Sequence, residues 1–212
     1  MSYLRDLNQK QCQRLLNHWL RRYGLSPLAS QTFDCLWNWL TAFEEAAPRL
    51  NLTAAKSRSQ RVSQILEAII LSEMIDRGPV LDLGSGAGIP GLIGAIYRRE
   101  LSFTLAEALT ERVVFMNKIC LQLGLRNCQA VVCHFGKKCP LEEGRFGSLV
   151  SRGFGSYRRF LKLGAPYAKQ GARFFYLLRP EVEEEQGLSR SSEVVSFRLP
   201  DGQLRYLLIY ER

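Results

Sequence analysis

The sequence predicts an α/β fold: a mostly parallel seven-stranded sheet that ends in an antiparallel hairpin, with a block of helices before it. Three observations carry this. Helical periodicity runs from residue 8 to about 76, short apolar runs then alternate with helical stretches, and the chain closes on two strand-like runs around a turn signal. At 212 residues and 46% apolar content there is enough material for one ordinary core with a short appendage. The division expected is a helical segment, 1–76, packing on a core domain, 77–212.

Leu15, Leu16, Trp19, Leu20 and Tyr23 recur at helical spacing, and Gly24-Leu-Ser-Pro27 interrupts them. Ser26 reads as a cap with Pro27 at the first position of a second helix, whose apolar stripe is Phe33, Leu36, Trp37, Leu40 and Phe43. These aromatics need no ligand to explain them. Pro48 and Asn51-Leu-Thr53 read as a loop, and Ser59 to Asp76 resumes helical periodicity. Beyond it the reading is strand 79–83, helix 91–99, strand 102–106, helix 110–123, strand 128–133, strand 146–150, helix 155–164 and strand 172–178. Strand and helix in alternation argue for a parallel sheet covered on both faces. Val194 to Leu199 and Leu204 to Tyr210 flank Pro200-Asp-Gly-Gln203, a closing hairpin. Nicotinamide-binding sheets usually continue parallel, whereas a doubly wound sheet ending in such a hairpin is the Rossmann-like methyltransferase arrangement. The acidic run Glu181 to Glu185 reads as a solvated loop or helix start.

Composition excludes several classes. No apolar run approaches the roughly 18 residues of a membrane span, and nothing marks a targeting segment, so a cytoplasmic location is expected. The six cysteines (12, 35, 120, 128, 133, 139) form no C-x-x-C pair and have no histidines at zinc spacing, so they read as free thiols with no metal site. The formal charge of +9 points to a polyanionic partner. From Gly144 to Pro180 there are eight basic residues and no acidic one: Arg145, Arg152, Arg158, Arg159, Lys162, Lys169, Arg173 and Arg179. Their concentration favours a binding surface over a merely solvated face.

The chemistry centres on Val80-Leu-Asp-Leu-Gly-Ser-Gly-Ala-Gly-Ile-Pro-Gly91, a strand running into a glycine-rich turn before a helix. Such a turn presents backbone N–H groups to a ligand lying against the chain. From Asp82 it reads D-x-G-x-G-x-G through Gly84, Gly86 and Gly88; from Gly86 it also satisfies the dinucleotide fingerprint G-x-G-x-x-G. Asp82, placed at the turn's tip to meet an ammonium, together with the hairpin, selects S-adenosylmethionine. Glu107, ending the second strand, is positioned to accept both ribose hydroxyls, which suits either cofactor. The third strand delivers His134-Phe135-Gly136, where adenine could lie against Phe135 with backbone bonds at 135 and 136. His134 reads as a surface residue, since nothing at fixed spacing orients it. The fourth strand delivers Ser151-Arg152-Gly153-Phe154 to the sheet's carboxyl edge, where Arg152 could hold a phosphate or form a structural ion pair.

Together these motifs resemble the GidB (RsmG) family of 16S ribosomal RNA guanine-N7 methyltransferases. The resemblance runs from about Trp39 to the end, through Asn51-Leu-Thr53, the extended glycine turn Leu81 to Leu92, Thr104-Leu-Ala-Glu-Ala108 with Arg112 and Phe115, Ser151-Arg152 with Phe154, and Leu199-Pro-Asp-Gly202 leading to Arg205. It implies a Rossmann-like class I methyltransferase using S-adenosylmethionine, with cofactor contacts at Gly84, Ile89, Phe135 and Gly136 and Arg152 at the active-site edge. Asn51, Arg158, Arg159 and Arg179 join Arg152 on the substrate side. The implied partner is 16S RNA or the small ribosomal subunit, methylated on a guanine of the decoding region by a monomeric enzyme. The sequence departs from the family pattern at several positions. The family's Arg-His-x-x-Asp-Ser is matched here by Ser63-Gln64-Ile65-Leu66-Glu67-Ala68, a Lys before Arg112 is Glu111, a Lys-Gly after the fifth strand is Arg179-Pro180, and an acid after the third strand is Gly136. The alternatives are a diverged methyltransferase acting on protein or a small molecule, and a cofactor-binding protein without catalysis.

Overall fold

The computed structural model describes residues 7–52, 57–137, 139–178 and 192–212; Thr53, Arg179, Pro180 and the acidic run lie outside them. Seven strands form one sheet: β1 (Val80–Leu83), β2 (Phe103–Glu107), β3 (Cys128–Val132), β4 (Phe146–Arg152), β5 (Ala168–Leu178), β6 (Ser192–Arg198) and β7 (Leu204–Glu211). Their order is β3-β2-β1-β4-β5-β7-β6, parallel through β5, with β7 inserted antiparallel between β5 and β6. The order reverses between β1 and β4. In open α/β sheets ligands bind outside the carboxyl ends at such a point.

The helices are α1 (Gln9–Arg22), α2 (Ser30–Leu50), α3 (Arg58–Glu73), α4 (Gly91–Tyr97), α5 (Thr110–Gln122) and α6 (Tyr157–Gly164). Because side chains alternate along a strand, the inner strands supply two cores. Val80, Leu105, Val150, Phe175 and Leu207 join the apolar faces of α1 to α5 in one continuous cluster. Leu81, Leu83, Leu149, Phe174 and Tyr176 face the other way and meet α6. Burial is therefore lopsided, with five helices on one face and one on the other among the described residues. The N-terminal helices share the sheet's main core.

Two local expectations change. The second helix begins at Ser30 with no side-chain cap, not at Pro27, because the Leu28 N–H is taken by the Asn17 side chain of α1 at 3.0 Å, which holds residues 25–29 out of the helix. Nor does Pro48 end that helix. It sits in the last turn, where the fixed proline φ is compatible with the helix and its missing donor costs one ladder bond, so α2 runs on to Leu50 and stops at Asn51 in the left-handed region (φ 48°).

The cysteines also need correction. Cys12, Cys35, Cys120 and Cys128 are free, but Cys133 and Cys139 are disulfide-bonded. The chain turns sharply after β3, which brings their Cα atoms to 4.3 Å across a six-residue separation. Spacing along the sequence does not reveal that reversal.

Candidate functional site

β1 carries the chain into Gly84-Ser85-Gly86-Ala87-Gly88 at the carboxyl edge. Gly84 is required twice over: its φ is +72°, and an added Cβ would lie 2.5 Å from the Phe154 ring. Gly91 is required for approach. A Cβ there would meet the Asp82 side chain at 2.7 Å, so its absence lets α4 seat on that carboxylate.

Asp82 is not at the turn's tip. It points from β1 under α4 and is 0% exposed, because an even position of this four-residue strand faces the main core. One carboxylate oxygen accepts the Gly91 N–H at 2.9 Å, while the other has no hydrogen-bond partner among the described residues. Burial raises its pKa from the ordinary 3.8 to about 7, offset in part by the Gly91 N–H. The turn is held from behind by Trp39 of α2, fully buried and stacked on Phe43, whose indole N–H donates to the Ala87 carbonyl at 3.3 Å.

Glu107, at the end of β2, accepts the Gly86 N–H at 2.9 Å and the Leu109 N–H at 3.0 Å, which fixes its carboxylate against the turn. It borders a cavity of about 380 Å³ with Gly84, His134, Phe135, Phe154 and Arg159. Gly86, Gly88 and Ile89 shape the turn without lining this cavity, and Gly136 (φ +78°) turns the chain behind Phe135. Phe135 packs edge-on against Phe154 and Tyr167, each at 5.6 Å between ring centres. The Cys133–Cys139 bridge closes the loop that carries it. These residues fit S-adenosylmethionine. Glu107 sets a carboxylate against the turn as an acceptor for ribose, and Phe135 offers the cavity an aromatic face for adenine.

A second cavity of about 390 Å³ lies beside the first, lined by Glu67, Arg152, Gly153, Gly155, Tyr176 and Arg205 among others. Gly153-Phe154-Gly155 is the wall between them: Phe154 faces the first cavity, its two glycines the second. Glu67 of α3, 1% exposed, accepts from Arg152 Nε at 2.7 Å with one oxygen and from Arg205 Nε with the other. Arg205 also donates to the Leu204 carbonyl and to Gln203 Oε1. The Tyr176 hydroxyl donates to the Gly155 carbonyl. Arg152 is thus both an ion-pair partner and a cavity residue.

The basic segment does not form one face. Arg173 pairs with Asp76 at 3.3 Å and lies over Phe175, and Arg145 approaches Glu142 at 3.7 Å. Arg158, Arg159 and Lys162 are exposed along α6, with Arg159 over the Phe154 ring at 5.7 Å. Asn51 lines neither cavity; its carbonyl accepts from Arg112 at 3.0 Å, tying α2 to α5. Arg179 lies outside the described residues. Three residues at the site escape sequence reasoning. Trp39 marks only where the resemblance begins, Glu67 a departure from a motif, and Arg205 a motif position with no role. The one signal for Glu67 is an acid inside an otherwise apolar helix stretch.

The family model for GidB, rRNA small subunit methyltransferase G, matches residues 34–199. The chain belongs to the GidB family. Ribosomal RNA small subunit methyltransferase G of Pseudothermotoga lettingae is 28% identical over 202 residues, 91% of this chain and 88% of that protein. The protein of the same name from Sodalis glossinidius is 31% identical over 137 residues, 64% of this chain and 66% of that one. Among solved structures, a methyltransferase from Geobacter sulfurreducens superposes with a TM-score of 0.53 at 14% identity, covering 92% of this chain and 97% of that one. A SAM-dependent methyltransferase from Aquifex aeolicus gives 0.54 at 16% identity over 71% and 92%. Both likenesses are of fold. Family membership carries the activity class, an rRNA methyltransferase that draws its methyl group from S-adenosylmethionine. No described helix is long and apolar enough to cross a membrane, and no group of three metal-ligating side chains occurs among the described residues.

Proposed function

We propose that this GidB-family protein methylates N7 of a guanine in 16S ribosomal RNA, acting in the cytoplasm on the RNA or the small subunit. Gly84, Glu107 and Phe135 hold the cofactor, with Asp82 beneath the turn seating α4 through the Gly91 N–H. When bound, S-adenosylmethionine supplies an electrophilic methyl on a sulfonium. The observation that carries the reading is the second cavity, which shares the Phe154 wall with the cofactor cavity and whose acidic group is already consumed: both oxygens of Glu67 are engaged by arginines. A pocket without an available base suits N7, which bears an in-plane lone pair and no proton. What the chain must supply is placement and exclusion of water. Arg152 serves as the edge of the substrate pocket, while Arg158, Arg159 and Arg179 contact RNA phosphates and give salt-dependent affinity without reading sequence.

The test is to map methylated guanines in 16S RNA from cells with and without the protein, and to incubate small subunits and total RNA with labelled cofactor. A guanine methylated only in the protein's presence is expected. Label on an exocyclic amine or on a pyrimidine would reject the N7 assignment, and label in no RNA would reject the substrate.

A further inference from the structure

The carboxylate at the floor of the second cavity has a donor on each side. Glu67 comes from the middle of α3 and is 1% exposed, whereas Arg152 comes from the end of β4 and Arg205 from the start of β7. One carboxylate thus joins three elements separated by 85 and 138 residues in sequence. The two cations have different capacities left. Arg205 spends its Nε on Glu67, one terminal nitrogen on the Leu204 carbonyl and the other on Gln203. Arg152 spends only its Nε among the described residues, and its side chain keeps 22% exposure on the cavity. Two guanidinium charges against one carboxylate leave a single net positive charge, and the hydrogen-bonding capacity that goes with it is at the terminal nitrogens of Arg152.

Removing two charges from water is expensive, and a buried pair of this kind is weak evidence of a stability role, because apolar groups of similar volume often do as well. A planar guanidinium gripped at Nε has its fork direction fixed, which is what placing an acceptor group requires. Arg205 braces the same carboxylate from the opposite side, so Glu67 cannot follow Arg152 if the latter swings.

We propose that Glu67 is a positioning residue for methyl transfer: braced by Arg205, it holds Arg152 by Nε so that the terminal nitrogens of Arg152 meet an acceptor group of the target nucleotide. The proposal rests on the reading of the second cavity as the substrate pocket. Glu67 itself touches no reacting atom.

The experiment is a double-mutant cycle on the full-length protein, using Glu67→Gln, Arg152→Met and the combination. It measures methyl-transfer rate and KM with small ribosomal subunits, and affinity for sinefungin, a cofactor analogue, by calorimetry. Glu67→Gln is expected to slow transfer on the order of 10²-fold, the scale of a misplacement of about 1 Å, with analogue affinity within about twofold of wild type. Added to Arg152→Met it should cost nothing further. Independent, additive losses overturn the proposal, as does a rate that falls only as far as analogue affinity falls. Should the lone Gln variant fail to fold because two guanidiniums are left facing one another, Glu67→Gln with Arg205→Met removes the opposite charges together. That variant should fold and bind the analogue yet transfer slowly, and wild-type turnover in it refutes the role. Wild-type protein that methylates no RNA overturns the functional reading and this proposal with it, whereas an active wild type matched by Glu67→Gln overturns this proposal alone.

Discussion

Replacing Asp82 with Asn should change how the protein's stability depends on pH. Asp82 ionises at about 7 in the folded chain and near the ordinary 3.8 when unfolded, because burial penalises the charged form by more than the Gly91 N–H returns. Between those values the folded state binds a proton that the unfolded state has released, so this group's contribution falls as pH rises from about 4 to 7. Each pH unit is worth about 1.4 kcal/mol, so raising the pH from about 5 to 8 should cost the wild type about 3 kcal/mol through this residue. Asn keeps an acceptor for Gly91 and has no charge to lose. Its amide must find a partner where the second carboxylate oxygen has none, which subtracts on the order of 1–3 kcal/mol at every pH. The informative quantity is therefore the difference between the two proteins' pH dependences, in which that constant cancels. Urea unfolding of both without cofactor, at several pH values from 5 to 8, measures it. Parallel stability profiles would refute the assignment of a raised pKa to this carboxyl. If its charge also attracts the cofactor ammonium, Asp82→Asn should weaken S-adenosylmethionine in calorimetry even where it stabilises the chain.

Three further outcomes are expected. Gly84→Ala places a methyl group at positive φ and against Phe154; the strain alone costs on the order of 1–2 kcal/mol, so Tm should fall and cofactor affinity with it, and an Ala variant that binds normally would show that the cavity is not the cofactor site. Trp39→Phe keeps the stacking on Phe43 but leaves the buried Ala87 carbonyl without its donor, for a loss of on the order of 1–3 kcal/mol in urea unfolding and weaker cofactor binding. Cys133→Ser opens the loop carrying Phe135; loop-closure entropy for so short a ring is about 2 kcal/mol, and thermal unfolding with and without reductant should separate the wild type but leave the Ser variant unmoved.

The fold was legible where pattern is local. Alternating apolar runs located every strand, and the Pro-Asp-Gly turn located the hairpin. Boundaries failed where tertiary contacts took over, as when Asn17 captured the Leu28 N–H and delayed α2. The glycine turn was legible because glycines at fixed spacing leave few backbone options, and Gly84, Glu107 and Phe135 line one cavity. The depth of Asp82 was not legible, since a strand residue's face depends on what packs against it. Nor was the basic segment's fate: Arg152, Arg158 and Arg173 lie within 22 residues of one another yet belong to a cavity, a helix surface and an ion pair on another edge. The Glu67 junction depends on three elements remote in sequence, and no spacing rule reaches that far.

The contact between Trp39 and the glycine turn has a spectroscopic consequence. Of the three tryptophans, Trp39 alone is fully buried, and its indole N–H is bonded to the backbone of Ala87 in the middle of the glycine turn. Indole emission responds to the polarity and hydrogen bonding at that nitrogen, so the molecule carries its own optical probe of the turn. With Trp19 and Trp37 replaced by Phe, the emission of Trp39 would follow ligand arrival in real time, free of label and of any need for turnover.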